Sequence, residues 1–225
     1  MPPPHGSSTR WPQAVYDARV NPLPYSAPAD RNKQPILDVL RTVLPAHGSA
    51  LEIASGTGQH VTWFAAALPQ WTWQPTDADA ALFPAIAERI AQEALPNVRP
   101  PVLLDVTAPR WPSDGPEFAQ RFDAIFCANM LHIAPWPCCA GLMQGAARYL
   151  APQGLLVTYG PYLEDEVVTA PGNLSFDASL KARDPAWGLR RREHVEAEAK
   201  RVGLVLRQRH AMPANNLLLV FTRQG

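Results

Sequence analysis

The chain has 225 residues, 47% of them apolar, and its 20 basic and 20 acidic side chains cancel. That is enough for one α/β core and tight for two, and balanced charge without a basic, aromatic-laced stripe argues against a nucleic-acid partner. No apolar run approaches the roughly 20 residues that cross a bilayer, so no membrane association is expected.

Many of the 25 prolines precede Asp30. Residues 1–29 read as an extended Pro-rich leader without the pattern of a secretory signal, and 30–225 as one domain. Asn32 to Leu44 sets Ile36, Leu40 and Leu44 on one helical face, so a helix precedes the sheet and can close over its ligand edge. Ala50 to Ala54 is the first strand, followed by a glycine turn and a helix with Val61, Phe64 and Leu68 inward. The unit recurs: a strand to Thr76, a helix through Leu82, Ile86 and Ile90, a strand from Val102 to Leu104. Phe122 to Cys127 and Gly154 to Thr158 are further strands, with a helix from Met143 to Leu150 between them. From 160 to 192 periodicity is lost, which marks a substrate-side insertion. Glu193 to Val202 is helical, and Leu204 to Arg209 and Leu217 to Thr222 form a closing hairpin-like pair. The predicted fold is α/β: a doubly wound, mostly parallel seven-stranded sheet with an antiparallel last strand.

Leu51-Glu52-Ile53-Ala54-Ser55-Gly56-Thr57-Gly58-Gln59-His60 carries most of the chemistry. Its turn brings backbone N–H groups close to a nucleoside above a carboxylate. Two later strands also end in acids, Asp77 and Asp105, so three carboxylates line one sheet edge and suit a cationic nucleoside better than phosphates. Val61 stands where a dinucleotide-binding turn has its third glycine, which counts against a nicotinamide enzyme. Asp77 is suited to both ribose hydroxyls, with helix capping its ordinary alternative, and Asp105 to an adenine amino group, with turn capping as its alternative.

Beyond this turn the chain resembles a known family in Arg31 to Leu37, Trp73 to Asp77, Asn129 to Pro135, Tyr159 to Tyr162, Asn173 to Asp177, Arg183 to Gly188 and Met212 to Asn216. It is similar to the domain-of-unknown-function family that includes methyltransferase-like protein 26, grouped with class I S-adenosylmethionine-dependent methyltransferases. The resemblance covers nearly everything outside the leader. It implies S-adenosyl-L-methionine as cofactor, held by Glu52, Gly56, Gly58 and Asp77 within the turn that also contains Ser55, Thr57 and His60. Asp105 and Asn129 are expected nearby, with Arg31 and Asn32 reaching in from the preceding helix. One departure is visible: Arg191 and Arg192 follow the Trp-Gly-x-Arg run where an acid is expected.

Methyl transfer needs a nucleophile aligned with the sulfonium carbon, while a general base is optional. His132, at the end of the fourth strand, is a candidate proton acceptor or a loop-shaping histidine. Tyr159 is a second catalytic candidate. Tyr162, Phe176, Asp177 and Trp187, with Asn173, Asn215 and Asn216, are candidates for the far, acceptor-binding wall. The acceptor reads as a small molecule. Cys127, Cys138 and Cys139 read as reduced, cytoplasmic thiols without zinc spacing, so no metal is expected. The rival reading is a non-catalytic protein that keeps the fold and the nucleoside.

Overall fold

The computed structural model describes residues 22–224; most of the leader lies outside the described residues. The first helix, α1 (Ala27–Val43), begins earlier than its apolar stripe suggests. The Ser26 hydroxyl accepts from the Ala29 N–H at 3.3 Å, and Pro28 sits in the first turn, where its missing N–H costs nothing. Its inner face carries Ile36, Leu37 and Leu40.

Seven strands follow: β1 (Gly48–Ile53), β2 (Trp71–Asp77), β3 (Val102–Leu103), β4 (Phe122–Ala128), β5 (Leu150–Gly160), β6 (Leu204–Met212) and β7 (Asn216–Arg223). They form one sheet in the order β3-β2-β1-β4-β5-β7-β6. Only β7 runs against its neighbours, pairing antiparallel with both β5 and β6. The expected sheet and its reversed last strand are therefore both present. Ala50 to Ile53 are all buried because β1 is covered on both faces, as central parallel strands are.

Alternating side chains split the core. Leu51, Ile53, Ile125 and Leu156 pack toward α4 (Pro137–Tyr149) and α6 (Arg192–Arg201). Ala50, Trp73, Phe126 and Val157 pack toward α1 and α2 (Gln59–Ala67). The strand order reverses between β1 and β4, so the crevice beyond their carboxyl ends is where such sheets bind ligands.

Two elements depart from the sequence reading. The helix after β2 opens with a 3₁₀ turn at Ala80–Leu82 and becomes α-helical as α3 (Phe83–Gln92). Within 160–192 stands α5 (Pro171–Arg183), where no periodicity announces a helix. Its buried residues are Asn173 and Leu180, whereas Leu174 and Phe176 face outward, so the apolar stripe that would mark it is scrambled.

Candidate functional site

The turn after β1 is built from three left-handed residues. Gly56 has φ +52° and Gly58 φ +76°, and Ala54 adopts φ 57° without being glycine. A Cβ on Gly58 would come within 3.1 Å of Ile86, so this glycine also lets α3 approach. Nothing lies within 4 Å of the corresponding position on Gly56; the turn faces open space there.

Beside that space, Asp77 Oδ2 accepts from the Gly56 N–H at 2.9 Å and Oδ1 from the Asp79 N–H at 3.1 Å. Each oxygen keeps a lone pair for a ribose hydroxyl. Underneath, Glu52 is 1% exposed, and its Oε2 has no hydrogen-bond partner. Burial raises its pKa from the ordinary 4.5 to about 8, with Ser55 opposing and Asp77 adding to the rise. A cation brought to this carboxyl would favour its ionised form. The Ser55 hydroxyl accepts from the Thr76 N–H, so β1 and β2 are stitched together directly below the turn.

Gln59 escaped the sequence reading. Its Oε1 accepts from the Ser26 N–H at 2.5 Å and the Thr57 hydroxyl at 2.9 Å, while its Nε2 donates to the Ser26 carbonyl at 3.3 Å. Arg89 donates to the carbonyls of Thr57 and Pro24. Together they strap the approach to α1 across the glycine turn. Adjacency of Gln59 to the turn was the available signal; the long-range pairing of Arg89 had none.

A cavity of about 800 Å³ lies between α1, the end of β4, β5 and α5. Arg31, Asn32, Asn129, His132 and Tyr159 line it, as do Asn173, Phe176 and Asn216. Six further apolar residues, Pro28, Pro35, Ile133, Pro161, Pro213 and Ala214, complete the apolar part of the lining, and none carries a site signal in the sequence. His60 stacks on Phe64 at 5.6 Å and its Nε2 meets Asn32 Oδ1 at 2.6 Å. Burial, then Lys33, lowers its pKa to about 4, so the ring is neutral and Nε2–H is the donor in that bond.

His132 is 1% exposed, with neither ring nitrogen hydrogen-bonded or open. It packs edge-on to Tyr162 at 5.0 Å, and a Cβ on Gly160 would fall 2.3 Å from its Nε2. Burial, followed by Arg190, lowers its pKa to about 3. In this geometry His132 shapes the wall and takes no proton from the cavity.

Several other expected residues stand away from the cavity. Tyr162 is buried and its hydroxyl donates to Thr158 at 2.8 Å, while Asp105 binds the N–H and hydroxyl of Thr107. Asp177 accepts from Lys181 at 2.6 Å and from the Leu189 N–H at 2.8 Å. Trp187 lies under Arg183, and Asn215 offers its carbonyl to Asn173. Arg191 pairs with Asp165, and Arg192 with Glu164 at 3.0 Å, so the departure at these positions joins the insertion to α6. Among the described residues no group of three or more His, Cys, Asp or Glu could hold a metal, and no helix is long and apolar enough to cross a membrane.

A family described as protein of unknown function (DUF938) matches residues 23–223. The fold is similar to that of an O-methyltransferase family protein from Burkholderia thailandensis, with a TM-score of 0.69 and 18% identity over 88% of this chain and 57% of the other. It is also similar to the methyltransferase SibL, described as S-adenosylmethionine-dependent, with a TM-score of 0.71 and 19% identity over 88% and 56% of the two chains. CalO1, a methyltransferase in calicheamicin biosynthesis solved with S-adenosylhomocysteine bound, gives 0.68 and 14% over 86% and 54%. The chain thus spans little more than half the length of these structures, and the likeness is one of fold.

Proposed function

The chain belongs to the DUF938 family of proteins of unknown function, and from that premise we propose that it is an S-adenosylmethionine-dependent methyltransferase with a small-molecule acceptor. Within that reading it stands with methyltransferase-like protein 26. The observation that carries it is the shared carboxyl edge of β1, β4 and β5: the open turn over Gly56, flanked by Asp77 and floored by Glu52, stands at the same edge as the cavity lined by Asn129 and Tyr159. Asp77 holds the ribose, Glu52 faces the cationic side, and the backbone of the Gly56–Gly58 turn, with no Cβ at either glycine, packs against the nucleoside. The cofactor supplies a methyl group on a cationic sulfur. The protein's own part is alignment: Asn129, in the left-handed region at φ 61°, and Tyr159 line the cavity at the ends of β4 and β5.

Calorimetry with S-adenosylhomocysteine tests the cofactor assignment. Asp77→Ala removes charge-assisted bonds worth roughly 1.5–3 kcal/mol, so affinity should fall by about 10- to 150-fold. Unchanged affinity would refute the ribose contact. Release of S-adenosylhomocysteine from the methyl donor, dependent on a fraction of a metabolite extract, separates an enzyme from a non-catalytic nucleoside binder.

A further inference from the structure

The charge and hydrogen-bond polarity of the cavity restrict what it can take. Arg31 is the one charged side chain among its described lining residues, and no carboxylate faces the space. No carboxylate of the described residues lies within ion-pair distance of that guanidinium. The rest of the wall is neutral and largely apolar, with Pro35, Ile133, Pro161 and Phe176 providing room for a flat or cyclic body.

A short chain of polar groups then fixes the direction of one hydrogen bond. Asn32 Oδ1 is committed to the Nε2–H of His60 at 2.6 Å, which leaves the amide NH₂ as the end available to the neighbouring Tyr159 hydroxyl. With the Asn32 NH₂ end as its neighbour, the Tyr159 hydroxyl is left to donate its own proton into the cavity. The pocket therefore presents an O–H donor and a guanidinium. It offers no base to match: both nitrogens of His132 are sealed, and the acceptors that remain include the neutral amide oxygens of Asn173 and Asn216, whose NH₂ groups are committed to backbone carbonyls.

Resting on the methyltransferase reading, we infer that the acceptor is an apolar, ring-bearing molecule whose reacting group is an anionic oxygen, a carboxylate or an acidic phenol, held by Tyr159 and Arg31. The chemistry balances without a base. A lone pair of the anionic oxygen forms the O–C bond while the C–S bond of the sulfonium donor breaks, and its electron pair returns to sulfur. The products are a neutral ester or ether and a neutral thioether, and no proton has to leave. An ammonium acceptor, by contrast, meets a like charge and has nowhere to discharge its proton.

The test uses the full chain, with and without S-adenosylhomocysteine, titrated with 1-naphthoate, 4-nitrophenolate and 1-naphthylmethylammonium. At least one anion should bind saturably, at least tenfold tighter than the ammonium probe, and which anion binds tells carboxylate from phenolate. Tyr159→Phe should weaken that anion about tenfold. Asn32→Asp, isosteric but offering only acceptor oxygens, should draw the tyrosine proton back and turn the preference toward ammonium. Saturable binding of neither anion, or ammonium binding as tight in the wild type, overturns the inference. Affinity for S-adenosylhomocysteine is read in the same experiment and judges the cofactor assignment separately, because the anion-to-ammonium ratio is also measured without it.

Discussion

The two walls of the cleft are held in different ways. The glycine-turn wall is part of the sheet: Asp77 grips the Gly56 N–H, Ser55 is bonded to Thr76, and Gln59 ties the turn to Ser26. The opposite wall hangs from α5, anchored chiefly by Asn173 and Leu180 and by Asp177 on the Leu189 N–H. Around it Val168, Leu174 and Phe176 are exposed. The difference separates a constant task from a variable one. On the proposed reading, groups that would face a common nucleoside are locked by sheet register, whereas those that would face the acceptor ride on a segment that can change without disturbing the core.

The sharpest way to probe the rigid wall is its buried acid. Glu52 is protonated more readily in the folded chain, at about 8, than at its ordinary 4.5. Its contribution is therefore fully favourable below pH 4.5 and is lost as pH rises toward 8. Between those limits it should cost about 1.4 kcal/mol of stability per pH unit. Glu52→Gln removes this slope, so melting curves of the variant and the parent should converge at low pH and diverge at high pH. Calorimetry at pH 7 with S-adenosylmethionine, in buffers of different ionisation enthalpy, should show proton release approaching one per cation bound, absent in the variant. Parallel pH profiles would mean that Glu52 is solvated in solution and that the wall is less closed than the geometry indicates.

A smaller effect should distinguish the strap from the α5 wall. Gln59→Ala removes three bonds around Ser26 and Thr57 at a net cost of roughly 2 kcal/mol, or about 4–8 °C in melting temperature. Amide exchange should quicken from Tyr25 to Arg31 and stay unchanged across α5. Faster exchange in both segments would show that the two walls open as one unit.

The legible parts follow this division. Sheet order and the turn are readable because parallel strands demand unbroken apolar runs and left-handed turns favour glycine. Of the cavity's neutral polar residues, Asn32 and Asn129 stand out only through resemblance, since nothing in their spacing announces a site, whereas Tyr159 is marked by its place at the end of the fifth strand. His132 illustrates what sequence cannot supply: its position after β4 suggests chemistry, yet Gly160 and Tyr162 seal its ring from the cavity, and that depends on packing across β5. α5 was invisible because its outward face is as apolar as its inward one. Asp177 and Trp187 read in the sequence as part of the far, acceptor-binding wall; in the fold they brace the insertion.

The smallest expected effect concerns Ala54, whose left-handed backbone is invisible in the sequence. An L-residue there carries a strain of roughly 1–2 kcal/mol that glycine avoids. Glycine in turn loses more chain entropy on folding, by roughly 0.5–1 kcal/mol. Ala54→Gly should therefore raise stability by a few tenths to about 1 kcal/mol and leave S-adenosylhomocysteine affinity unchanged, as scanning and isothermal calorimetry would record. Ala54→Val, β-branched at the same φ, should move stability the opposite way. A loss on Ala54→Gly would mean that the alanine methyl, which packs against the core beside Ile53, outweighs the backbone strain. In that event the rigid wall owes its shape to packing more than to hydrogen bonds, and the contrast with the α5 wall narrows to burial alone.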